Sequence, residues 1–577
     1  MPQGASGSGR FGPRRSGAPA SAGQARYWPL LAAIVLAAAL VPVLKSAHYD
    51  LVWDDEEIVG PKLEVRDPVD LWRIWNTPFD SFLGDPMRQP NYFRPLVLLT
   101  LAADHAIDGV KPAAYHRTNL MLYALACLFL WLAVWEVSRR PVAATAGAVV
   151  FALHPTHPES VCFVSGRTDL LAGALLFAAL WAAARWGPSI KHPVAKLAPA
   201  SALLLLACYS KEVAFLAAPV VVLALWTCDR RLKLRDIVTA SAPVALACLV
   251  YYLSRIEVLG AHALPAVSPV EGAASQILTS VALVARYVPL LLFPVSLSAR
   301  HEVFPLRAPD LVFGAGIVVL VALAVAVVLT LRRRSRWAIP LALVAATLVP
   351  LCYVRLIAGA LMAERFLFLP SAGLAFAVAL LPGSIAYFTA GVAAPLFLAL
   401  LLPRVAVWKD DGSLYASMLR DSPDSPHAHS IAGSYYYRQR DFARAIEHHR
   451  RAFELRPEFT ESLLNLSAAE EESGNTDSAF AHTRLLIRLR PDYAPAQYAL
   501  GNLQARVDRP DSAALAYEMA LKLDPNLAQA ENNLGVVLER MGRIEEAIAH
   551  YRRAQELLPG YLDPANNLAR LTGAAGP

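Results

Sequence analysis

Long runs of apolar residues alternate with short polar segments over about the first 400 residues of the chain, whereas the last 170 or so are polar and rich in charge. Runs of this kind are typical of helices that cross a bilayer, which need roughly 20 mostly apolar residues. The change of pattern near residue 404 predicts two parts, a membrane body and a soluble tail.

Eleven of the apolar runs are predicted to be transmembrane helices, although several are shorter than a comfortable span. Basic clusters between them consistently fall on one predicted side of the membrane. The run 277–297 breaks this alternation, so it is predicted to be a re-entrant or interfacial helix in an outer loop. The eleven runs lie at about 27–44, 116–137, 141–155, 168–186, 196–209, 213–228, 236–253, 310–331, 337–355, 364–382 and 385–403.

The N-terminal segment 1–26 is rich in Gly, Ser, Ala and Pro and contains four arginines and no acid, which predicts a disordered cytoplasmic segment. The first helix should then run from inside to outside. A cleaved signal peptide is the alternative, and it leaves the acidic stretch after this helix on the same side. An odd number of spans places the tail outside.

Composition excludes several classes of protein. With 56% hydrophobic and 17% charged residues, the chain is too apolar for a soluble protein of 577 residues. The net charge of +6 lies largely in the loop clusters, so it indicates membrane topology and contact with lipids rather than nucleic-acid binding. The six cysteines form no CxxC pair and none is in the tail, so neither a zinc site nor a disulfide framework is predicted.

The tail repeats itself every 34 residues. Prolines at 457, 491, 525 and 559 keep this step, as do alanines at 445, 479, 513 and 547, and the small residues Gly433, Ser467, Gly501 and Gly535. Such a period, with close packing at the small positions and a helix stop at each proline, is the signature of tetratricopeptide repeats. We therefore predict an α-solenoid of four repeats with a capping helix, whose groove binds an extended peptide or a partner protein.

Charged residues gather at the predicted outer ends of the spans, beginning with the stretch 50–60, DLVWDDEEIVG. Ionisable groups at membrane depth are costly and usually functional.

Pairing of sequence neighbours, Lys211 with Glu212 and Glu364 with Arg365, is a purely structural alternative. Metal ligation by the HxxH pair is not favoured, because this spacing is poor for zinc. The outer-end residues are Asp54, Asp55, Arg94, His116, His154, His157, Glu159, Arg167, Asp169, Lys211, Glu212, Glu364 and Arg365.

Transfer of a group from a lipid-linked phosphate requires this combination of acids and fixed cations at a membrane surface. A carboxylate removes the proton from an acceptor hydroxyl, and Arg and Lys hold the leaving phosphate. No cofactor is certain and no metal ligand is assigned. If Asp54, Asp55 and Glu159 converge, however, their oxygens would suit a divalent cation.

The segments WDDEEIV, NYFRPL, YHRTNLMLY, HPTHPESVCFVSGRTDLLAG, SKE and AERFLFLPSAG, followed by the repeats, resemble the transmembrane-and-TPR-containing (TMTC) protein family. These proteins are similar to protein O-mannosyltransferases of the GT-C fold. The resemblance implies an all-α, GT-C-like bundle of about eleven spans followed by a TPR solenoid. It also implies an enzyme that transfers mannose from a polyprenyl-phosphate donor to Ser or Thr hydroxyls, with inversion.

The resemblance also implies roles for residues. The catalytic acid in the first outer loop maps onto Asp54 or Asp55, with Asp54 slightly favoured. Arg94, Arg167, Lys211 and Arg365 are candidates for binding the donor phosphate. Supporting roles fall to His116, His154, His157, Glu159, Asp169, Glu212 and Glu364.

The expected domains are a membrane glycosyltransferase at 27–403 with its first outer loop at 45–115, a linker at 404–423 and the repeats at 424–573. The composition, rich in Ala, Arg and Pro, favours a bacterial inner-membrane protein with periplasmic repeats. The sugar is then less certain than the polyprenyl-phosphate carrier. A non-catalytic, membrane-anchored TPR scaffold is the alternative, and a transporter is less favoured because few charges lie within the spans.

Overall fold

The computed structural model describes residues 27–60, 63–65, 68–82, 92–260, 270–353, 361–558 and 560–572. The expectations for the N-terminal segment 1–26, for Asn91 and for Pro559 concern residues outside these ranges. Within them, every regular element is a helix. The predicted all-α class is therefore confirmed.

The chain divides into two compact units, which are described separately. The membrane unit comprises Met1–Leu297 and Val303–Asp410, and the repeat unit comprises Ser298–Glu302 and Asp411–Pro577. The boundary after Asp410 falls inside the predicted linker, which is largely helical. Assignment of Ser298–Glu302 to the repeat unit was not foreseen from the sequence.

The described residues of the membrane unit form 18 α-helices, besides short 3-10 helices, and several α-helices begin with a proline in their first turn, where its missing N–H costs nothing. They are α1 Trp28–Leu40, α2 Asp55–Ile58, α3 Pro68–Trp75, α4 Pro95–Asp108, α5 Pro112–Ser138, α6 Pro141–Ala152, α7 Pro158–Cys162, α8 Arg167–Arg185, α9 Ala198–Cys208, α10 Val213–Leu216, α11 Ala218–Cys228, α12 Leu234–Ala240, α13 Ala242–Leu259, α14 Ala273–Leu292, α15 Leu311–Arg332, α16 Ala338–Leu348, α17 Phe368–Leu380 and α18 Gly383–Val407.

Seven helical segments among the described residues are long and apolar enough to cross a membrane. Four shorter apolar helical segments accompany them, at Pro141–Ala152, Val194–Cys208, Val213–Cys228 and Ala338–Leu348. The chain is thus a polytopic integral membrane protein, as predicted. The seven are Trp28–His48, Pro112–Ser138, Val164–Arg185, Leu234–Leu259, Ala273–Leu292, Leu311–Arg332 and Gly383–Val407.

Basic loops meet at one end of the membrane unit, which we call the basic end. The Arg334 guanidinium donates to the backbone oxygens of Arg230 and Leu232, at 3.4 and 3.1 Å. Arg336 donates to the backbone oxygen of Ser138 at 3.5 Å. The loops after α5, α11 and α15, whose basic clusters were predicted to share one side of the membrane, therefore do share one end of the bundle.

Helix α14 occupies the segment predicted to be re-entrant or interfacial. It is one continuous helix of 20 residues, without the reversal that a re-entrant hairpin requires, and it is long enough to cross a membrane. Hydrogen bonds nevertheless join it, from its first half to its last turn, to loops away from the basic end. These contacts link Thr279 to Leu306, Tyr287 to Ala363 and Leu291 to His154.

The repeat unit is a series of helical hairpins, as the 34-residue period predicts. After α19 Asp411–Asp421, its helices alternate between the first and second helix of each repeat, and α28 forms the cap. They are α20 Pro426–Arg438, α21 Phe442–Leu455, α22 Thr460–Glu472, α23 Thr476–Leu489, α24 Ala494–Arg506, α25 Pro510–Leu523, α26 Ala528–Arg540, α27 Ile544–Leu557 and α28 Leu562–Thr572.

The small residues of the period explain how each hairpin closes. A Cβ added at Gly501 would lie 2.5 Å from the Tyr517 ring, and one added at Gly535 would lie 2.7 Å from the Tyr551 ring. Each glycine thus leaves room for an aromatic ring of the second helix. In the second repeat a smaller pair replaces them, because the Ser467 and Thr483 hydroxyls hydrogen bond at 2.6 Å.

Candidate functional site at the end of the bundle opposite the basic loops

The candidate residues lie at the end of the membrane unit away from the basic loops, which we call the site end. Helix α8 begins with Asp169 in its first turn and ends with Arg185, which pairs with Glu136 near the end of α5. A helix of 19 residues is roughly 28 Å long, so Asp169 and Arg185 lie at opposite ends. Likewise, α18 runs from Gly383, beside Arg140, to Arg404 at the site end.

The two acids of the first loop lie in different environments. The Asp55 carboxylate is completely buried and accepts three hydrogen bonds, from the Val164 N–H at 2.8 Å, the Ser165 N–H at 2.8 Å and the Ser165 hydroxyl at 2.7 Å. Asp54 is partly exposed. Asp55 therefore ties the acidic turn to the segment between α7 and α8, whereas Asp54 is the acid that solvent reaches.

The backbone before these acids is strained. Trp53 has φ 54°, in the left-handed region that a bulky side chain rarely adopts. Such strain persists where surrounding contacts hold it, and it is common at functional sites. The Trp53 ring lies 6.2 Å from the Phe163 ring.

Burial controls the ionisation of Asp55. It raises the pKa of this carboxyl to about 7, with a smaller contribution from the charge of Asp54, against the opposing effect of the three hydrogen bonds. Asp55 thus changes charge near neutral pH, whereas the neighbouring carboxyl of Asp54 is partly exposed.

Lys211 lies at the centre of the positive charge. Its side chain is buried. The ammonium nitrogen lies 2.6 Å from Asp169 Oδ1 and 5.4 Å from the centre of the Phe366 ring. Burial lowers the pKa of Lys211, and the charges of Arg94 and Arg365 lower it further, whereas Asp169 raises it. Three cations therefore lie near enough to influence one another.

Arg94 and Glu212 form a bidentate ion pair. The Arg94 nitrogens lie 2.6 and 3.0 Å from the two Glu212 carboxylate oxygens, and its guanidinium is 4.1 Å from the centre of the Tyr92 ring. Burial opposes ionisation of Glu212, but Arg94 and Arg255 outweigh it and lower the pKa to about 2. Glu212 therefore stays ionised.

Arg365 is the most accessible of these cations. Its side chain is 30% exposed and lies 3.3 Å from Glu159 Oε1, while its backbone N–H donates to Glu159 Oε2 at 2.9 Å. Burial raises the pKa of Glu159, and Arg365 opposes that effect. The Arg365 guanidinium also lies 5.8 Å from the Phe163 ring, which Trp53 contacts as well, so one aromatic ring connects Arg365 to the acidic turn.

The pairing of sequence neighbours that was considered as a structural alternative is wrong. Lys211 pairs with Asp169 rather than Glu212, and Glu364 pairs with Arg404 at 3.1 Å rather than with Arg365. Four ion pairs thus join segments that are distant in the chain. Each of the four cations, Arg94, Lys211, Arg365 and Arg404, is held by an acid from another element.

Arg167, expected to bind phosphate, lies instead in a buried network. Its side chain is 0% exposed, pairs with Asp104 at 2.6 Å and donates to Asn119 Oδ1 and to the Tyr115 backbone oxygen, each at 2.9 Å. His116 is also buried, and its Nε2 lies 3.2 Å from the Asp50 backbone oxygen. Both residues hold segments around the site together and do not present a group to solvent.

The two histidines of the HPTHPE segment are occupied by protein groups. The ring nitrogens of His154 lie 2.8 Å from the Thr156 hydroxyl and 3.0 Å from the Leu291 backbone oxygen. Those of His157 lie 3.1 and 2.9 Å from the Tyr123 and Ser371 hydroxyls. Burial lowers the pKa of His154 to about 4 and that of His157 well below its usual value, so both rings are neutral and structural.

Four residues of the site were missed in the sequence: Asp104, Asn119, Ser165 and Arg404. Asp104 and Arg404 carry a recognisable signal, because each is a charged residue in a mostly apolar helix. Asn119 and Ser165 carry none. Asn119 accepts from Arg167 and donates to the backbone oxygens of Val161 and Phe163, which only their positions in space reveal.

Comparison with known proteins identifies the repeats and finds relatives of the chain. The tetratricopeptide repeat family model matches residues 432–494 and 498–561. The chain is 28% identical to Protein O-mannosyl-transferase Tmtc3 of Drosophila melanogaster over 169 residues, 25% of this chain and 18% of that protein. It is 31% identical to human Protein O-mannosyl-transferase TMTC4 over 166 residues, 26% of this chain and 22% of that protein. It is 30% identical to human Protein O-mannosyl-transferase TMTC1 over 151 residues, 25% of this chain and 17% of that protein.

The matches thus span about one fifth of the length of these relatives. Among solved structures, the chain is similar to MamA, at 23% identity and a TM-score of 0.23, over 26% of this chain and 85% of MamA. It is also similar to a thermophilic TPR protein of Thermus thermophilus, at 23% identity and a TM-score of 0.26, over 31% of this chain and 94% of that protein. The expected resemblance to TMTC proteins is confirmed.

Proposed function

We propose that this TMTC-like chain is a membrane glycosyltransferase, an enzyme that moves a sugar from a polyprenyl-phosphate donor to Ser or Thr hydroxyls of exported proteins. Mannose is the favoured sugar, because the similar curated proteins are named O-mannosyl-transferases. The observation that carries the proposal is the gathering of a solvent-reached acid, Asp54, and the cations Arg365, Lys211 and Arg94 at one end of the bundle.

Asp54 is the proposed base. In the reaction, the acceptor hydroxyl oxygen bonds to C1 of the sugar from the face opposite the leaving phosphate, which inverts the configuration. The hydroxyl proton passes to the Asp54 carboxylate, and the C1–O bond breaks with its electrons going to the polyprenyl phosphate. Asp55 is the positioning residue, because its three hydrogen bonds hold the turn that carries Asp54.

Arg365 is the proposed first contact for the donor phosphate, with Lys211 and Arg94 adding positive charge around it. Arg365 is the most exposed of the three, and a guanidinium can donate two parallel hydrogen bonds to a phosphate. Glu159, Asp169 and Glu212 hold these cations in place before the donor arrives. Fixed cations stabilise the charge that grows on a leaving phosphate without rearranging.

The repeats are proposed to engage the acceptor polypeptide or a partner protein, as concave helical arrays commonly do. The positive-inside rule places the basic end in the cytoplasm, and hence the site end on the outer side. If the chain is bacterial, that side is the periplasm of the inner membrane. The donor lipid would then be an undecaprenyl-like phosphate.

A transfer assay tests the proposal. The purified protein in detergent receives radiolabelled polyprenyl-phosphate-mannose or polyprenyl-phosphate-glucose with a periplasmic extract, with Mg²⁺ or with a chelator. We expect label to enter protein with one donor, and Asp54→Asn to lower the rate by about 100-fold or more. The matched control is Glu56→Gln, an exposed acid two residues away in α2, which should keep full activity. Full transfer by Asp54→Asn would remove Asp54 from the role of base.

A non-catalytic TPR scaffold is the second candidate, and one observation favours it. Five cations of the site end are already paired with acids, as in a purely structural network: Arg94, Arg167, Lys211, Arg365 and Arg404. Donor binding distinguishes the two functions. A scaffold would bind neither labelled donor, whereas the proposed enzyme should bind its donor and lose binding in Arg365→Gln.

A further inference from the structure

The repeat unit contains a short segment that comes from elsewhere in the chain. Ser298–Glu302 follows α14 by a few residues, yet it forms part of the repeat unit. The Ser422 hydroxyl lies 3.5 Å from the Arg300 backbone oxygen. The contacts of Glu302, next to it, explain how the segment is held.

The Glu302 carboxylate lies among three polar groups of the first repeat. The Ser425 hydroxyl donates to Oε2 at 2.6 Å, His427 Nδ1 lies 3.2 Å from Oε1, and Arg456 donates to Oε1 at 3.4 Å. Only 15% of the Glu302 side chain is exposed. Because an ionised carboxylate can only accept hydrogen bonds, His427 Nδ1 must be the donor.

The local structure positions Ser425, His427 and Arg456 around the Glu302 carboxylate. Ser425 is the N-cap of α20, so its oxygen accepts from the Ala428 N–H at 3.1 Å, while its hydroxyl hydrogen remains available for Glu302. The His427 ring packs against the Phe459 ring, with centroids 4.8 Å apart. Arg456 ends the first repeat, just before the period proline Pro457.

We propose that the first repeat carries a carboxylate-binding site formed by Ser425, His427 and Arg456, and that its ligand is Glu302 of the same chain. The site anchors the loop after α14 to the repeat array. An acidic peptide could use this site only by displacing Glu302. This inference does not rest on the proposed transferase activity.

Helix α14, which precedes this segment in the chain, has contacts of its own within the membrane unit. Just before the anchored segment, the Leu291 backbone oxygen accepts from His154, and the Tyr287 hydroxyl contacts the Ala363 backbone. His154 and Ala363 belong to the two segments that carry Glu159 and Arg365. Within the membrane unit, the last two turns of α14 are therefore held by the segments that form the candidate site.

Limited trypsin digestion of the full-length protein in detergent tests the anchor. Trypsin cleaves after Arg300, inside the anchored segment, and after Arg307, in an exposed stretch that serves as the internal reference. Cleavage of a locally opened segment follows the population of the open form. We expect Glu302→Gln to raise the ratio of the rates at Arg300 and Arg307 by about tenfold, since a hydrogen-bonded charge is lost.

A double-mutant cycle makes the test specific. Arg456→Gln alone should also raise the ratio, and the double variant should cleave no faster than the faster single variant, because both changes break the same contact. Arg456 precedes a proline, so its replacement removes no normal trypsin site. The matched control, Glu458→Gln, changes an exposed acid two residues away and should leave the ratio unchanged.

Two results would overturn the proposal. One is an unchanged ratio in Glu302→Gln, and the other is multiplication of the two single effects in the double variant. Circular dichroism and elution volume identify variants that fail to fold. If Glu302→Gln fails to fold, Glu302→Asp replaces it: this change keeps the charge but shortens the side chain, so it should raise the ratio above that of the wild type.

Discussion

Glu159 and Arg365 are 206 residues apart in the chain, yet two contacts join them. The Arg365 backbone N–H donates to Glu159 Oε2 at 2.9 Å, and its guanidinium lies 3.3 Å from Oε1. One carboxylate therefore sets both the backbone of the segment before α17 and the direction of the side chain proposed to receive phosphate.

Replacement of Glu159 should separate these two effects. Glu159→Gln keeps an acceptor for the Arg365 N–H but removes the charge, whereas Glu159→Ala removes both. We expect Glu159→Ala to lower the free energy of unfolding by about 1–3 kcal/mol, and Glu159→Gln by less. Denaturant unfolding in detergent measures the change, with Glu56→Gln within about 0.5 kcal/mol of the wild type as control. Equal stability of Glu159→Ala and the control would contradict this account.

Arg167 should behave as a structural residue rather than a phosphate ligand. Because Arg167→Ala leaves Asp104 buried without its cation, we expect a loss of about 3–5 kcal/mol of unfolding free energy. Arg167→Lys should also be costly, since an ammonium group cannot reproduce the planar contacts to Asn119 and Tyr115.

Arg117 provides the control for Arg167. It lies between Tyr115 and Asn119, which Arg167 contacts, is 60% exposed and pairs with Asp108. Arg117→Gln should therefore cost less than about 1 kcal/mol. If Arg167→Lys were as stable as the wild type but failed to bind the labelled donor, Arg167 would be a phosphate ligand after all.

Asp55 should make stability depend on pH in an unusual direction. Its pKa is raised from 3.8 to about 7, so between these values the folded protein keeps a proton that the unfolded chain has lost. The free energy of unfolding of the wild type, relative to Asp55→Asn, should therefore fall as pH rises from about 4 to about 7, by up to roughly 1.4 kcal/mol per unit. Above pH 8 the difference should be constant.

Thermal or denaturant unfolding of the two proteins between pH 5 and pH 8.5 gives this difference directly. Asp55→Asn also loses hydrogen bonds to the Val164–Ser165 turn, which adds an offset that does not vary with pH. A difference that stays flat below pH 7 would show that the carboxyl is ionised throughout.

Glycine at position 501 should be required for packing rather than flexibility. Gly501→Ala places a Cβ 2.5 Å from the Tyr517 ring, whose hydroxyl is held by Asn502. We expect a loss of about 1–3 kcal/mol from overpacking, although alanine favours helix by about 1 kcal/mol. Gly391→Ala is the control, because open space surrounds that helical glycine and the change should not destabilise.

A paired exchange tests the same packing rule. Gly501→Ser combined with Tyr517→Thr recreates the Ser467–Thr483 pair of the second repeat. The double variant should lose less stability than the sum of the two single changes, since the smaller partner makes room for the serine. Additive losses would show that the ring and the glycine are not coupled. Chemical denaturation monitored by circular dichroism measures each variant.

The candidate site shows where sequence reasoning reached its limit. The gathering of Asp54, Glu159, Lys211 and Arg365 at one end follows from their positions at span ends, and the structure places them there. Which residue pairs with each of these charged groups does not follow from the sequence. Adjacent residues such as Lys211 and Glu212 extend toward different elements, so each finds a partner more than 40 positions away.

The sequence by itself determined what depends on local composition and period. The apolar runs define membrane helices because hydrocarbon excludes polar residues over about 20 positions, and the 34-residue step defines the repeats because each hairpin packs in the same way. Only the tertiary structure buries Arg167, holds Asp55 by three hydrogen bonds while Asp54 stays partly exposed, and brings Glu302 to the first repeat. These properties depend on through-space distances between segments far apart in the chain, which no local pattern encodes.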